Sequence, residues 1–119
     1  MYSIESERGS NVVAIVVSGF WTLETVQAFA ADLSQVLRAR GSHEQRVLVL
    51  GFEDAVVAPG PVIEALRQLA AAAAGQAGRM ALYTSSALKR LQLRRIADVR
   101  LNSRVFATRE DAMEWVRAT

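Results

Sequence analysis

The sequence predicts an α/β fold: a five-stranded, mostly parallel sheet with an antiparallel N-terminal edge strand and four helices, in the order β-β-α-β-α-β-α-β-α. Three observations predict it. Short β-branched apolar runs alternate along the chain with stretches whose apolar residues recur at helical spacing. Strands that alternate with helices assemble into a parallel sheet through right-handed crossovers. The first two strands are separated by only a short turn, and such strands pair antiparallel.

The elements follow in order. Tyr2 to Glu7 alternates weakly between apolar and polar and reads as an edge strand, with Gly9-Ser10-Asn11 as the turn. Val12 to Ser18 is nearly all apolar and reads as a strand buried on both faces. Thr22 can cap the first helix, whose inward stripe is Leu23, Val26, Phe29, Ala30, Leu33, Val36 and Leu37. Arg38 and Arg40 suit its C-terminal dipole, and Gly41 ends it. Arg46 to Gly51 is the next strand, followed by a loop from Phe52 to Gly60. Pro61 opens the second helix, where a missing N–H costs nothing, and Val62, Ile63, Leu66, Leu69, Ala70 and Ala73 form its stripe. Met80 to Thr84 is a strand; Ser85 or Ser86 caps a third helix running to Ile96, with Leu88, Leu91 and Ile96 inward. Arg100 to Ala107 is the last strand. Thr108 caps a final helix to Arg117, with Ala112, Met113 and Val116 inward.

The 119 residues suit one domain spanning 1–119, large enough to fold without metal or disulfide. At 51% hydrophobic and 22% charged the chain is not disordered in composition, and with no cysteine it has no disulfide or thiolate chemistry. No basic segment leads into an apolar run at the N-terminus, and Val12 to Val17 and Leu69 to Ala74 fall far short of the roughly 20 residues of a membrane span. A cytoplasmic location is expected. Charge is uneven: residues 1–60 carry four basic and seven acidic side chains, and residues 61–119 carry ten and five. The positive excess gathers at Lys89, Arg90, Arg94, Arg95, Arg100 and Arg104.

The element order, the ending Arg104-Val105-Phe106-Ala107-Thr108-Arg109-Glu110-Asp111-Ala112 and the step Gly19-Phe20-Trp21-Thr22 after the second strand together resemble the STAS domain family. That family includes the SpoIIAA-like anti-sigma-factor antagonists and a branch related to lipid-binding folds. The resemblance covers nearly the whole chain and implies a non-enzymatic interaction module. In the regulatory branch an Asp-Ser-Ser-Gly stretch opens the second helix, and its serine is phosphorylated by a partner kinase. Here Val57, Ala58 and Pro59 stand before Gly60, and no Ser or Thr occurs from Glu44 to Tyr83. A phospho-switch needs a hydroxyl on which to place about two negative charges. The chain is therefore expected to be a divergent member that binds without phospho-regulation of this loop.

No catalytic set, metal set or cofactor motif is expected. The single histidine, His43, sits in a polar connector, where a solvated loop residue accounts for it. Glu53-Asp54 reads as a solvated acidic pair after a parallel strand. Gly75-Gln76-Ala77-Gly78 lacks the spacing and lysine of a phosphate loop and precedes a strand. Helix starts bind anions through bare N–H groups, which makes Gly60 and Ser85-Ser86 the positions for any anion. Phe20-Trp21 lies at the carboxyl end of a strand, either as a staple under the helix or as a partner surface. Trp115, one position off its helical stripe, reads as a cover for the sheet.

The expected binding surface is accordingly Phe20, Trp21, Val57, Pro59, Gly60, Ser85 and Ser86. Its occupant is a protein partner or, alternatively, a small apolar or lipid-like molecule held in a pocket of Phe20, Trp21, Val57 and the alanine-rich second helix. Nucleic acid is not expected, because no aromatic residue interleaves the basic cluster. That cluster reads first as a solvated face, with weak membrane-surface contact through Lys89, Arg90, Arg94 and Arg95 as its functional counterpart. The Tyr2–Glu7 edge offers itself to a second copy, so a homodimer is also open.

Overall fold

The computed structural model describes residues 1–7, 10–38, 46–56, 58–74, 77–97 and 102–118. Its elements are β1 (Tyr2–Ser6), β2 (Val12–Gly19), α1 (Leu23–Arg38), β3 (Arg46–Ala55), α2 (Gly60–Ala74), β4 (Ala77–Tyr83), α3 (Ala87–Ile96), β5 (Ser103–Phe106) and α4 (Arg109–Arg117). The five strands form one sheet in the order β1-β2-β3-β4-β5, with β1 antiparallel to β2 and every other pair parallel. The predicted fold class is the observed one.

Strand order that follows chain order, with right-handed crossovers, puts α1, α2 and α3 on one face of the sheet. Val13, Ile15, Val17, Leu48, Leu50, Phe52, Met80 and Leu82 point to that face and meet Val26, Phe29, Leu33, Val62, Ile63, Leu93 and Ile96 of the helices. The intervening strand positions, Val12, Val47, Val49, Ala81 and Tyr83, point the other way and meet Ala112 and Val116 of α4. The period-2 alternation of a strand thus supplies two separate cores from one set of apolar runs.

Helix starts use the residues the sequence offers. Thr22 Oγ1 accepts from Thr25 N (3.2 Å), and Thr25 Oγ1 accepts in return from Thr22 N (3.4 Å). Ser86, not Ser85, caps α3 by accepting from Lys89 N, and Thr108 caps α4 by accepting from Asp111 N. α1 ends at Arg38; Arg40, Gly41, His43, Gly75, Arg100 and Val57 lie outside the described residues.

Several boundaries and faces differ from expectation. β3 runs to Ala55 instead of stopping at Gly51, because it carries a bulge. Val16 pairs Gly51 and Ser18 pairs Asp54, so β3 spends one residue more than β2 over that step. The extra residue breaks the alternation that marks a strand. β4 starts at Ala77, and β5 is confined to Ser103–Phe106. Leu23, Leu88 and Leu91, all expected inward, are exposed. In α3 Ile96 is inward as expected, and it is joined there by Lys89, Gln92 and Leu93 in place of the two leucines.

Gly51 is where a side chain would do harm. It is the cross-strand neighbour of Tyr83, and the Tyr83 ring lies over it so closely that a Cβ there would collide with the ring tip. Absence of a side chain leaves room for the ring, which is buried in the cluster with Ala112 and Val116 of α4.

Candidate functional site

The turns at the carboxyl ends of the parallel strands bring the sequence's candidate residues to one end of the molecule, where open α/β sheets place their sites. At the β2–α1 turn, Gly19 adopts φ 75°, a left-handed conformation that suits glycine and turns the chain sharply. The turn separates the two aromatics. Trp21 goes under α1 and is only 4% exposed; its Nε1 donates to Ser18 O (3.2 Å), and its ring packs on Phe29 and Tyr2 with centroids 5.3 and 5.7 Å away. Phe20 goes outward and is 61% exposed.

The β3–α2 connection is fastened at both ends. Val56 N donates to Gly19 O (3.0 Å). Ala58 N donates to Gln92 Oε1 (3.1 Å), and Gln92 Nε2 donates back to Ala58 O (2.9 Å). One glutamine of α3 thereby serves both backbone polar groups of Ala58. Pro59 O then accepts from Val62 N and Ile63 N to open α2 at Gly60. Pro59 and Gly60 are exposed.

The start of α3 is tied to the end of β3. The Glu53 carboxylate accepts from Ser85 N and Ser85 Oγ, and Lys89 Nζ donates to Glu53 O (2.8 Å). Arg90 Nη1 donates to Thr84 O (3.1 Å) and Ser85 O (2.9 Å). The Ser85 hydrogen bonds hold the Glu53 carboxyl below the ordinary carboxylate value. Of the two helix starts considered for an anion, the one at Ser85-Ser86 is therefore served internally: the Ser85 donors go to Glu53, and the Ser86 hydroxyl is the cap.

Beneath these turns lies an apolar cavity of about 30 Å³, bordered by Trp21, Phe52, Ile63, Leu66, Leu93 and Ile96. Above them several large apolar side chains are exposed among polar ones. Phe20, Leu23, Val56, Leu88 and Leu91 are all exposed, and Leu88 is 62% exposed. The sequence does not mark Leu23, Val56, Leu88 and Leu91 as surface residues; for the last two, an i, i+3 leucine pair fits a core stripe as well as an exposed one.

The described members of the basic cluster are engaged differently. Lys89 and Arg90 spend their donors on strand-end carbonyls. Arg104 stacks on Trp115 (5.6 Å to the ring centroid), with Arg79 on the same indole at 5.1 Å. Arg94 and Arg95 are exposed. No group of three or more His, Asp or Glu side chains is arranged to hold a metal among the described residues. None of their helices is long and apolar enough to cross a membrane.

The SpoIIAA-like family model matches residues 12–117. The chain belongs to the SpoIIAA-like family, and its domain is of the STAS/SpoIIAA-like type. It is similar to an uncharacterised protein of the DUF3478 family with a SpoIIAA-like fold from Shewanella loihica PV-4, with a TM-score of 0.67 and 17% identity over 97% of this chain and 91% of that one. It is also similar to the protein TM1081, solved by NMR, with a TM-score of 0.71 and 16% identity over 100% of this chain and 90% of that one. At such identities the likeness concerns the fold alone. Among curated proteins none matches the sequence.

Proposed function

We propose that this chain is a non-enzymatic protein-binding module that docks its partner on the apolar rim formed by Phe20, Leu23, Val56, Leu88 and Leu91, with Pro59 and Gly60 at its centre. The observation that carries this is the placement of the exposed apolar side chains: Phe20 and Leu23 at the β2–α1 turn, Val56 in the β3–α2 connection, and Leu88 and Leu91 on the first two turns of α3, which follow three neighbouring strands at the same end of the sheet. Solvent exposure of large apolar groups on adjacent segments marks interaction surfaces, and aromatic residues are prominent among the anchors. The turns are also held by internal hydrogen bonds, so little order remains to be imposed on binding.

Binding at this rim is constitutive with respect to the second-helix loop. The stretch from Glu44 to Tyr83 contains no Ser or Thr, so the phosphorylation that switches SpoIIAA-like regulators has no acceptor there. A carrier of a small apolar molecule needs a pocket of roughly 300 Å³ or more. The cavity below the rim holds about 30 Å³, room for a water molecule, so the outer surface is favoured over the interior as the binding element.

The test is site-specific photo-crosslinking in cells, with the probe placed in turn at Phe20, at Leu88 and, as a control, at the exposed Gln35 of α1. The expected result is one adduct shared by the two rim positions and absent at Gln35. Phe20→Asp should abolish the Leu88 adduct without lowering Tm, since Phe20 has little burial to lose. Adducts common to all three positions, or none at the rim, would reject the reading.

A further inference from the structure

β1 is an edge strand with no partner on its outer side among the described residues, and its hydrogen-bond phase is fixed by β2. Met1 donates its nitrogen to Ser18 O (2.8 Å) and accepts from Ser18 N (2.8 Å), and Glu7 N donates to Val12 O (2.9 Å). Antiparallel ladders alternate residue by residue. Ser3 and Glu5 therefore also turn their backbone groups toward β2, and Tyr2, Ile4 and Ser6 turn theirs outward, where no described strand meets them. Natural edges are blunted by proline, lysine, bulges or short length. β1 has neither proline nor lysine, pairs with β2 in an unbroken register and carries one charge, Glu5. The opposite edge, β5, has only four residues and carries Arg104.

We propose that two copies of this chain associate through β1, antiparallel, about a twofold axis at Ile4. This register follows from the side chains. Centred on Ile4, the outward backbone groups of Tyr2, Ile4 and Ser6 in each copy all find partners: Ile4 pairs with Ile4 of the second copy, and Tyr2 pairs with its Ser6. Ser3 then faces Glu5 of the second copy at a non-hydrogen-bonded position, where cross-strand side chains come closest. A serine hydroxyl there donates to the opposing carboxylate, once on each side of the axis. The register centred on Glu5 sets two carboxylates directly opposite each other, which is destabilising. A register centred on Ser3 pairs Tyr2 with Ile4 but leaves the outward groups of Ser6 in each copy without a β1 partner, and one centred on Tyr2 or Ser6 leaves most of the strand unpaired. The Ile4-centred dimer has a continuous sheet, with both copies of α4 on the same side of it.

Ser3 and Glu5 are exposed, so both can be changed without touching the core. Sedimentation equilibrium should show a concentration-dependent species of twice the 13.0 kDa chain mass. Ser3→Glu, which opposes two carboxylate pairs, should weaken the dimer by about tenfold, and Ser3→Lys should tighten it by a similar factor. The chain has no cysteine, so crosslinking is clean. Under mild oxidation a mixture of Ser3→Cys and Glu5→Cys proteins should form covalent dimers faster than either alone, because like residues lie about 7–8 Å apart on the diagonal and exceed disulfide reach. A monomer at every concentration, a dimer indifferent to the charge at residue 3, or equal crosslinking rates in mixed and separate samples would each overturn the proposal.

Discussion

At the scale of single residues, the molecule turns on two glycines that fix where aromatic rings go. Gly19, at φ 75°, sends Phe20 out and Trp21 in. The sequence marks the aromatic pair as unusual, but its order alone does not say which ring is buried; that depends on the left-handed turn preceding it. Gly51 is subtler, because in the sequence it merely ends an apolar run. Its meaning lies in Tyr83, more than thirty positions away, whose ring needs the space a Cβ would fill. The ring cannot swing clear, since it is packed in the cluster that contains Ala112 and Val116 of α4. Gly51→Ala should therefore cost about 1–3 kcal/mol, the usual penalty for overpacking. Tyr83→Leu should absorb part of that penalty, giving a non-additive double mutant in urea unfolding. A Gly51→Ala protein within 0.5 kcal/mol of the parent would show that the ring is freer than its surroundings suggest.

At the scale of elements, type and order were legible because each strand is a short apolar run and most helices carry a clear stripe. α3 was legible as a helix but not in its orientation. Its inward face includes Lys89 and Gln92, which look solvent-facing by composition and are drawn in by carbonyls at the end of β3 and by the Ala58 peptide. Leu88 and Leu91 consequently face out. These tertiary hydrogen bonds and the burial of Leu93 and Ile96 set the helix's face, and the Leu88–Leu91 spacing points the other way. The same attachment gives α3 a pH dependence. Glu53 is lowered from its ordinary value of 4.5, mainly by the Ser85 hydrogen bonds. A group with a depressed folded value stabilises the fold above its unfolded value, and that contribution is lost as pH falls through the folded one. Glu53→Gln keeps an oxygen that accepts from Ser85 at every pH. Acidification from neutrality to below pH 4.5 should thus lower Tm more in the parent than in Glu53→Gln. Parallel melting curves over that range would show the clasp to be unimportant.

At the scale of the whole molecule, the sheet separates two cores of very unequal size. Among the described residues, twenty buried apolar side chains line the face covered by α1, α2 and α3, and seven line the face covered by α4. Burial of apolar surface dominates folding stability, so the α4 layer is the more weakly held. Its attachment leans on side chains around the small core. Arg79 and Arg104 both lie against the Trp115 indole, Arg79 Nη1 donates to Trp115 O (2.5 Å), and Arg117 pairs with Glu7 (2.8 Å). The arginine–glutamate pair is about half exposed and contributes little. The two guanidinium–indole contacts contribute roughly 0.5–1 kcal/mol each at a partly exposed site. Native-state hydrogen exchange should then find α4 amides opening at a lower free energy than those of the central strand β3. Trp115→Ala should lower the α4 value further and leave the Phe20–Leu88 rim intact, because the rim belongs to the other face and to the carboxyl-end turns. Equal protection in α4 and β3 would mean that the two layers unfold as one unit, and that the small core is as cooperative as the large one.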